Sequence, residues 1–266
     1  MNAIVTGVGR PSGIGAAIAF ELAQKGCNMF LTSCLEYDIE NGICKKDFWD
    51  IPSEYIEIKE RCQKNDVKVL FKSFDLTSRD ACSELFDDAS RELGNIHLLV
   101  TSHCVHTCDK LGEINDSFLN RNLRVNSGSV LLLIQEFYRR FSDNEGSIVA
   151  ISSTQELEPL VNEISYAISK ASVPIIVSTL APILAQKGIR INAVNPGATE
   201  IGAHSDDIEE YKRSNLFGRV GRPTDAAHLV SFLCSNEGRW ITGQTINSEG
   251  CFFRKLTALP LYDSPG

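Results

Sequence analysis

The sequence predicts a single α/β domain, with a parallel sheet covered by helices on both faces. Three observations carry that expectation. Short segments that are apolar on both faces alternate with stretches of helical apolar spacing, as strands buried on both faces require. A Gly-rich turn joins the first such segment to the first helical stretch. No linker, internal repeat or low-complexity run divides the 266 residues, a normal length for one such domain. The domain is placed at 1–254, with 255–266 as a C-terminal tail. Hydrophobic residues make up 43% and charged residues 23%, enough apolar surface for a sizeable core.

The elements follow in order. Residues 2–6 form a first strand, and 13–25 a helix through Ile14, Ala17, Ile18, Leu22 and Ala23. A second strand occupies 29–32. Residues 33–52, rich in Asp, Asn and Gly, read as an irregular surface insertion. A helix at 55–64, a strand at 67–71 and a helix at 78–93 with Ser78 as its N-cap come next. A fourth strand covers 97–101, a long helix lies within 116–141, and a fifth strand covers 147–152. A long helix at 164–186, a sixth strand at 190–194, a helix at 224–235 and a closing strand at 244–247 complete the alternation. Pro174 and Pro182 fall inside the long helix, where each removes a hydrogen bond and predicts a kink or register shift.

Charge narrows the function classes. A formal charge of -8 and a pI near 5.2 argue against nucleic acid and against anionic membranes. No stretch reads as a bilayer span, and the first strand begins at Asn2, so the expectation is a cytoplasmic protein without a leader. Nine scattered cysteines, an odd number, fit reduced thiols better than a disulfide framework.

The turn Thr6-Gly7-Val8-Gly9-Arg10-Pro11-Ser12-Gly13-Ile14-Gly15 sits where glycines let backbone approach a pyrophosphate and a helix N-terminus faces the anion. A plain tight turn is the competing reading of this motif alone. With the alternating elements, the loop specifies a single-domain Rossmann-type doubly wound parallel sheet with helices on both faces. Tyr166 and Lys170 stand four apart on one face of a helix, where an ammonium lowers the pKa of a phenol and lets it exchange a proton. Ser153 follows the fifth strand, at the edge where a parallel sheet presents ligand groups. Taken singly, each of these is more often structural.

The loop, Asp75-Leu76-Thr77, Asn126, Ser153, Tyr166-Ala-Ile-Ser-Lys170, Asn195-Pro196-Gly197 and Gly243-Gln244 together resemble the short-chain dehydrogenase/reductase family over about residues 2–254. The branch it resembles is often labelled 3-oxoacyl-(acyl-carrier-protein) reductase-like. The resemblance implies hydride exchange between a nicotinamide dinucleotide and a carbonyl or alcohol. In that scheme Tyr166 is the acid/base, Ser153 the polarising partner, and Asn126 the holder of a water near Lys170, which also binds the nicotinamide ribose. It implies cofactor contacts from Gly7, Arg10, Ser12, Gly13, Ile14, Gly15, Ser33, Asp75, Leu76, Ser102, Tyr166, Lys170, Pro196, Gly197 and Thr199. Asp75 would meet the adenine amine or serve as a helix N-terminal acid. No acid stands at the end of the second strand, where Thr32-Ser33-Cys34 is neutral, and Arg10 could pair with a 2′-phosphate, so NADP(H) is favoured over NAD(H). A homodimer or homotetramer is implied as well.

Several positions depart from the family. Five residues separate Gly7 from Gly13, two more than usual, so the loop is longer. Thr101-Ser102-His103-Cys104 replaces Asn-Asn-Ala-Gly and loses two bracing amides. Ile201 stands where a threonine usually contacts the carboxamide, leaving Thr199 as substitute. The run 103–108 holds two histidines and two cysteines, but alternate residues on an extended segment face apart, so no metal is expected. Residues 203–215 match the family's substrate lid, and with 154–163 they should shape specificity. Two readings therefore stand: an NAD(P)-dependent oxidoreductase acting on a small carbonyl or alcohol, or a non-catalytic nucleotide-binding relative serving as sensor or complex subunit. The intact tetrad favours the first; the altered segment after the fourth strand and the helix prolines favour the second.

Overall fold

The structure, a computed structural model, describes residues 1–45, 51–153, 159–202, 212–213 and 215–250. A seven-stranded parallel sheet has the order β3-β2-β1-β4-β5-β6-β7. Its strands are β1 (Asn2–Thr6), β2 (Asn28–Ser33), β3 (Val69–Ser73), β4 (Leu98–Thr101), β5 (Gly146–Ile151), β6 (Ile189–Asn195) and β7 (Thr245–Asn247). The chain runs outward from β1 to β3, then restarts at β4 beside β1 and runs outward the other way. That reversal opens a crevice at the carboxyl ends of β1 and β4. Thr6 lies level with Thr32 on one neighbour and Thr101 on the other, so the loops that follow leave from one edge.

Alternation along each strand feeds two cores. In β1, Ala3 and Val5 pack with α1 (Ile14–Gln24), α3 (Ser53–Gln63) and α9 (Pro223–Cys234), through Ile18, Leu22, Ile58 and Leu233. Ile4 faces the opposite way, into a cluster with Leu85 and Phe86 of α4 (Ala81–Leu93), Leu133 and Phe137 of α6 (Val130–Arg140), and Val177 of α8 (Ser172–Ala185). Each of the Val, Ile, Leu and Phe side chains among them stabilises the fold by about 1.5–3 kcal/mol through burial.

Several boundaries differ from the sequence expectation, each for a local reason. The third strand lies two residues later than expected, because pairing of Met29 with Val69 fixes its register. The insertion is not wholly irregular: Leu35–Glu40 form a short helix, α2. Ser78 does not cap α4. The Asp75 carboxylate accepts from the Thr77 amide at 2.9 Å and the Thr77 hydroxyl at 2.7 Å, Ser78 donates its amide to the Asp75 carbonyl, and Asp80 takes the N-cap position. Asp75 is thus an acid of this turn and not of the helix terminus.

The two long helices are interrupted. Residues 116–140 run as α5 (Asp116–Asn122), a π-helical stretch Leu123–Ser129 and α6, and single π-turns of this kind often sit at functional sites. Residues 164–185 divide at Ala171 into α7 (Ile164–Lys170) and α8. Pro174 falls in the first turn of α8, where a missing N–H costs little, while Pro182 stays inside and removes one rung.

The stretch Ile164–Ala185 also corrects the expectation that no segment is long and apolar enough to span a bilayer: at 22 residues and mean hydropathy 1.6 it qualifies by length and composition alone. In the fold its inner face packs on the sheet and its outer face exposes Ile168, Ile175 and Ile183.

Candidate active site

The Gly-rich loop packs close against the exit of β4 because Gly7 and Gly15 carry no side chain. Gly7 has φ +73, and a Cβ there would stand 2.5 Å from the His103 amide nitrogen; a Cβ on Gly15 would stand 2.3 Å from the Gly7 carbonyl oxygen. Both obstacles are backbone, which cannot swing aside. Gly7→Ala is therefore expected to destabilise the protein by roughly 1–3 kcal/mol, read from urea unfolding, through left-handed strain and contact with β4's exit. An unchanged midpoint would show that the loop has slack. Behind the loop, α1 starts from Gly13 with no side-chain cap and no acid in its first turn, leaving its N–H groups for an anion.

Apart from Ser12 and Asn126, every residue singled out from the sequence as catalytic or cofactor-binding lines one cavity of about 610 Å³. That size suits a ligand largely enclosed by protein. Ser12 is exposed and donates to the Ile201 carbonyl at 2.8 Å. Ser152, which also lines the cavity, carries a buried hydroxyl with no hydrogen-bond partner. Glycines, an uncapped helix terminus and an orphaned hydroxyl in one cleft fit a dinucleotide with a polar amide at its reactive end.

Tyr166 and Lys170 project from α7 into this cavity. Tyr166 is half-buried, and its phenol hydrogen-bonds Ser153. Burial pushes the phenol above its ordinary value, the Cys104 thiol beside it adds to the rise, and the Ser153 bond opposes it. The expected lowering by the Lys170 ammonium is not realised, because Lys170 is buried and donates to the Ile151 carbonyl at 2.7 Å. Burial also pushes Lys170 below its ordinary value.

Asn126 stands behind the cavity, fully buried in the π-helical stretch. Its Oδ1 accepts from the Val105 amide at 2.7 Å, and its Nδ2 faces the Val105 carbonyl at 2.8 Å and the Ser169 hydroxyl at 2.8 Å. The side chain thus ties β4's exit loop to the turn of α7 between Tyr166 and Lys170.

The two lost bracing amides are replaced by an imidazole. His103 Nδ1 lies 2.6 Å from Thr6 Oγ1, and Nε2 lies 2.8 Å from Ser129 Oγ. Ser129 gives its proton to the Val125 carbonyl at 2.6 Å, so Nε2 carries the ring proton and Nδ1 accepts from Thr6. Burial pushes His103 down to about 3, with the Lys170 charge acting the same way. His103 is a neutral strut linking β1, β4 and the π-turn. Among the described residues, no group of three or more His, Cys, Asp or Glu could hold a metal ion.

Sequence reasoning missed part of the cavity. Tyr37, Asp38, Cys104, His106 and Arg121 line it too. His106 packs edge-on against the Tyr166 ring with centroids 5.0 Å apart and pairs with Glu163 at 3.1 Å. Asp38 corrects the expectation that no acid stands by the end of β2: α2 carries it back to Ser33 and Gly9. The cue available was an acid within five residues of the strand end. Thr199 and Ile201 both line the cavity, and Thr199 Oγ1 donates within its own turn to the Gly197 carbonyl at 3.1 Å. Most of the expected lid, residues 154–158 and the tail 255–266 lie outside the described residues.

Such a switch-point crevice, with a phenol and an amine at one end and an uncapped helix behind a glycine loop, defines a dinucleotide-binding oxidoreductase. The chain belongs to the short-chain dehydrogenase/reductase family: the family model described as enoyl-(acyl carrier protein) reductase matches residues 48–251. It is 32% identical over 257 residues to an uncharacterised oxidoreductase of Bacillus subtilis, YjdA, covering 95% of this chain and 96% of that protein. It is 31% identical to the chloroplastic NADPH-dependent aldehyde reductase 2 of Arabidopsis thaliana, covering 93% and 92%. A short-chain dehydrogenase/reductase structure from Serratia marcescens superposes with a TM-score of 0.81 at 27% identity, covering 94% and 97%. The fold and the family are therefore those expected from the sequence, and nicotinamide-linked oxidoreduction of small molecules is the activity of the kind.

Proposed function

We propose that this protein is an NAD(P)-dependent carbonyl reductase or alcohol dehydrogenase in which Tyr166 exchanges the proton. The observation that carries this reading is the Tyr166 phenol bonded to Ser153 at the wall of the dinucleotide cavity. A bound nicotinamide supplies or accepts the hydride. In reduction, Ser153 and Tyr166 orient the substrate oxygen, and Tyr166 gives it a proton as the carbon becomes an alcohol; in oxidation the phenolate takes that proton back. Lys170, held by the Ile151 carbonyl, places its amine on the same helix face as the phenol, and Asn126 fixes the turn that carries both groups.

A turnover screen with NADH and NADPH against oxoacyl thioesters, keto sugars and cyclic ketones tests the reading. Binding of dinucleotide without turnover on any of them would favour the non-catalytic alternative. Arg10, on which the sequence argument for NADP(H) rests, lines the cavity and donates from Nη1 to the Ile201 carbonyl at 3.2 Å.

The same reading includes a homo-oligomer working in the cytoplasm. Cys27, Cys34, Cys62, Cys82, Cys104, Cys108 and Cys234 carry thiols outside any disulfide, as a reducing compartment keeps them. Ile168, Ile175 and Ile183 are 55%, 65% and 48% exposed on one face of α7 and α8, and an apolar stripe of this kind suits a second copy of the chain. Ile175→Glu is expected to lower the mass measured by light scattering after gel filtration to that of a smaller assembly. A wild-type chain that elutes as a monomer would rule out the stripe as an interface.

A further inference from the structure

We propose that Asp109 is a positioning residue that clasps the first turn of α7 and so fixes where the Tyr166 phenol stands in the cavity. This rests on the reading above that Tyr166 exchanges the proton, and it deepens that reading by naming what holds the proton donor at the front of its helix.

The bonding of the helix start is the first support. Glu163 at the N-cap of α7 makes no side-chain cap bond, so the first amides of this seven-residue helix need partners from elsewhere. They come from Asp109, in the loop that leaves β4. The Ser165 amide donates to Asp109 Oδ1 at 3.0 Å, the Ser165 hydroxyl donates to Oδ2, and the Ile164 amide donates to the Asp109 carbonyl at 3.4 Å. The Asp109 amide donates in turn to the Asn162 carbonyl at 2.9 Å, and Asp109 and Glu163 form a parallel bridge. Asp109 is only 4% exposed and Ser165 is fully buried. A carboxylate shut away from water at a helix N-terminus holds amide and hydroxyl donors strongly, because solvent does not compete for them.

The second support is what the clasp holds. Ser165 directly precedes Tyr166, so both bonds to the carboxylate end one residue from the phenol. The same β4 loop carries His106, which packs edge-on against the Tyr166 ring and pairs with Glu163. The rear of α7 is tied separately, by Ser169 to Asn126 at 2.8 Å and by Lys170 to the Ile151 carbonyl at 2.7 Å. Removing the Asp109 carboxylate therefore leaves the rear ties in place and frees the front turn, where the phenol is. A displacement of about 1 Å at a reacting group can cost about a hundredfold in rate, so a tilt confined to two helical turns is enough to matter.

Variants of the intact chain test this with two readouts. Turnover is measured on the oxoacyl thioester, keto sugar or cyclic ketone that gives wild type its highest kcat/KM. The phenol is followed by fluorine NMR of chains grown with meta-fluorotyrosine, the Tyr166 line being the one missing from Tyr166→Phe. Asp109→Ala is expected to lower kcat about tenfold or more while KM for the dinucleotide stays within about twofold, and to shift and broaden the Tyr166 line. Asp109→Asn keeps an acceptor for the Ser165 amide and turns a donor to the Ser165 oxygen, so it should recover most of kcat and the wild-type line. A purely structural residue would lower the urea midpoint and leave both kcat per folded molecule and the line unchanged. That result for Asp109→Ala overturns the proposal, and so does an Asp109→Asn protein as impaired as Asp109→Ala, which would assign the effect to charge. Should Asp109→Ala fail to fold, Ser165→Ala decides: it removes one of the two bonds and should lower kcat about threefold and move the line, and wild-type values for both overturn the clasp. If wild type turns over none of these compounds, the reaction proposed above falls, and the fluorine line alone decides for or against Asp109.

Discussion

Tyr166→Phe is expected to lower turnover by about two orders of magnitude or more while dinucleotide binding survives. The substitution removes one oxygen. The ring that packs against His106 remains, as do the glycine loop and the α1 terminus that form the cradle. What disappears is the proton that must reach the substrate oxygen as the carbon accepts hydride, and water is a poor replacement inside a half-enclosed cavity. A hundredfold loss corresponds to about 2.7 kcal/mol of transition-state stabilisation. Absorbance of the reduced nicotinamide gives turnover, and its fluorescence gives binding. Near-normal turnover would refute the assignment of the phenol, and loss of both signals together would show that the variant had lost its cradle.

Acidification should expose His103. Its imidazole sits at about 3 in the folded protein, against an ordinary value near 6.5 in the unfolded chain. Between those values the unfolded chain binds a proton that the folded chain refuses, so unfolding free energy rises with pH across that window. The contribution is complete above about pH 6.5 and is lost as pH falls towards 3, a change on the order of 4 kcal/mol. Asp38, whose carboxyl is pushed up by burial, works in the opposite direction at the low end. Urea midpoints from pH 7 downward should fall more steeply in wild type than in His103→Gln, which keeps a donor and an acceptor but does not titrate. Proton resonances of a His103 ring titrating above pH 6 would contradict the neutral strut.

The legible part of this molecule was whatever repeats or stands close in sequence. Strands such as β4 and β5 are apolar at nearly every position and flanked by turns, so their place in a parallel sheet followed from composition alone. Tyr166 and Lys170 share a face because four residues span slightly more than one helical turn. Features made by distant segments were not legible. The strut at His103 joins residues 6, 103 and 129, and sequence reasoning recorded only the loss of two amides there. Asp38 was hidden because Leu35–Glu40 is a six-residue helix of mixed character inside a stretch that read as irregular. The π-helical stretch differs from an ordinary helix by one residue in a turn, which apolar spacing does not resolve.

The interruption at Ala171 gives the two halves of that apolar segment separate mechanical lives. Lys170 is anchored to the sheet through Ile151 and Ser169 to Asn126, so the short piece bearing the reacting groups is clamped by hydrogen bonds, while the longer piece is held by apolar packing of Val173, Val177, Ala181 and Leu184. The reacting groups are thus positioned by polar bonds that do not depend on the apolar contacts of the longer piece. Substitutions on the outer face of the longer piece can therefore accumulate without misaligning the phenol.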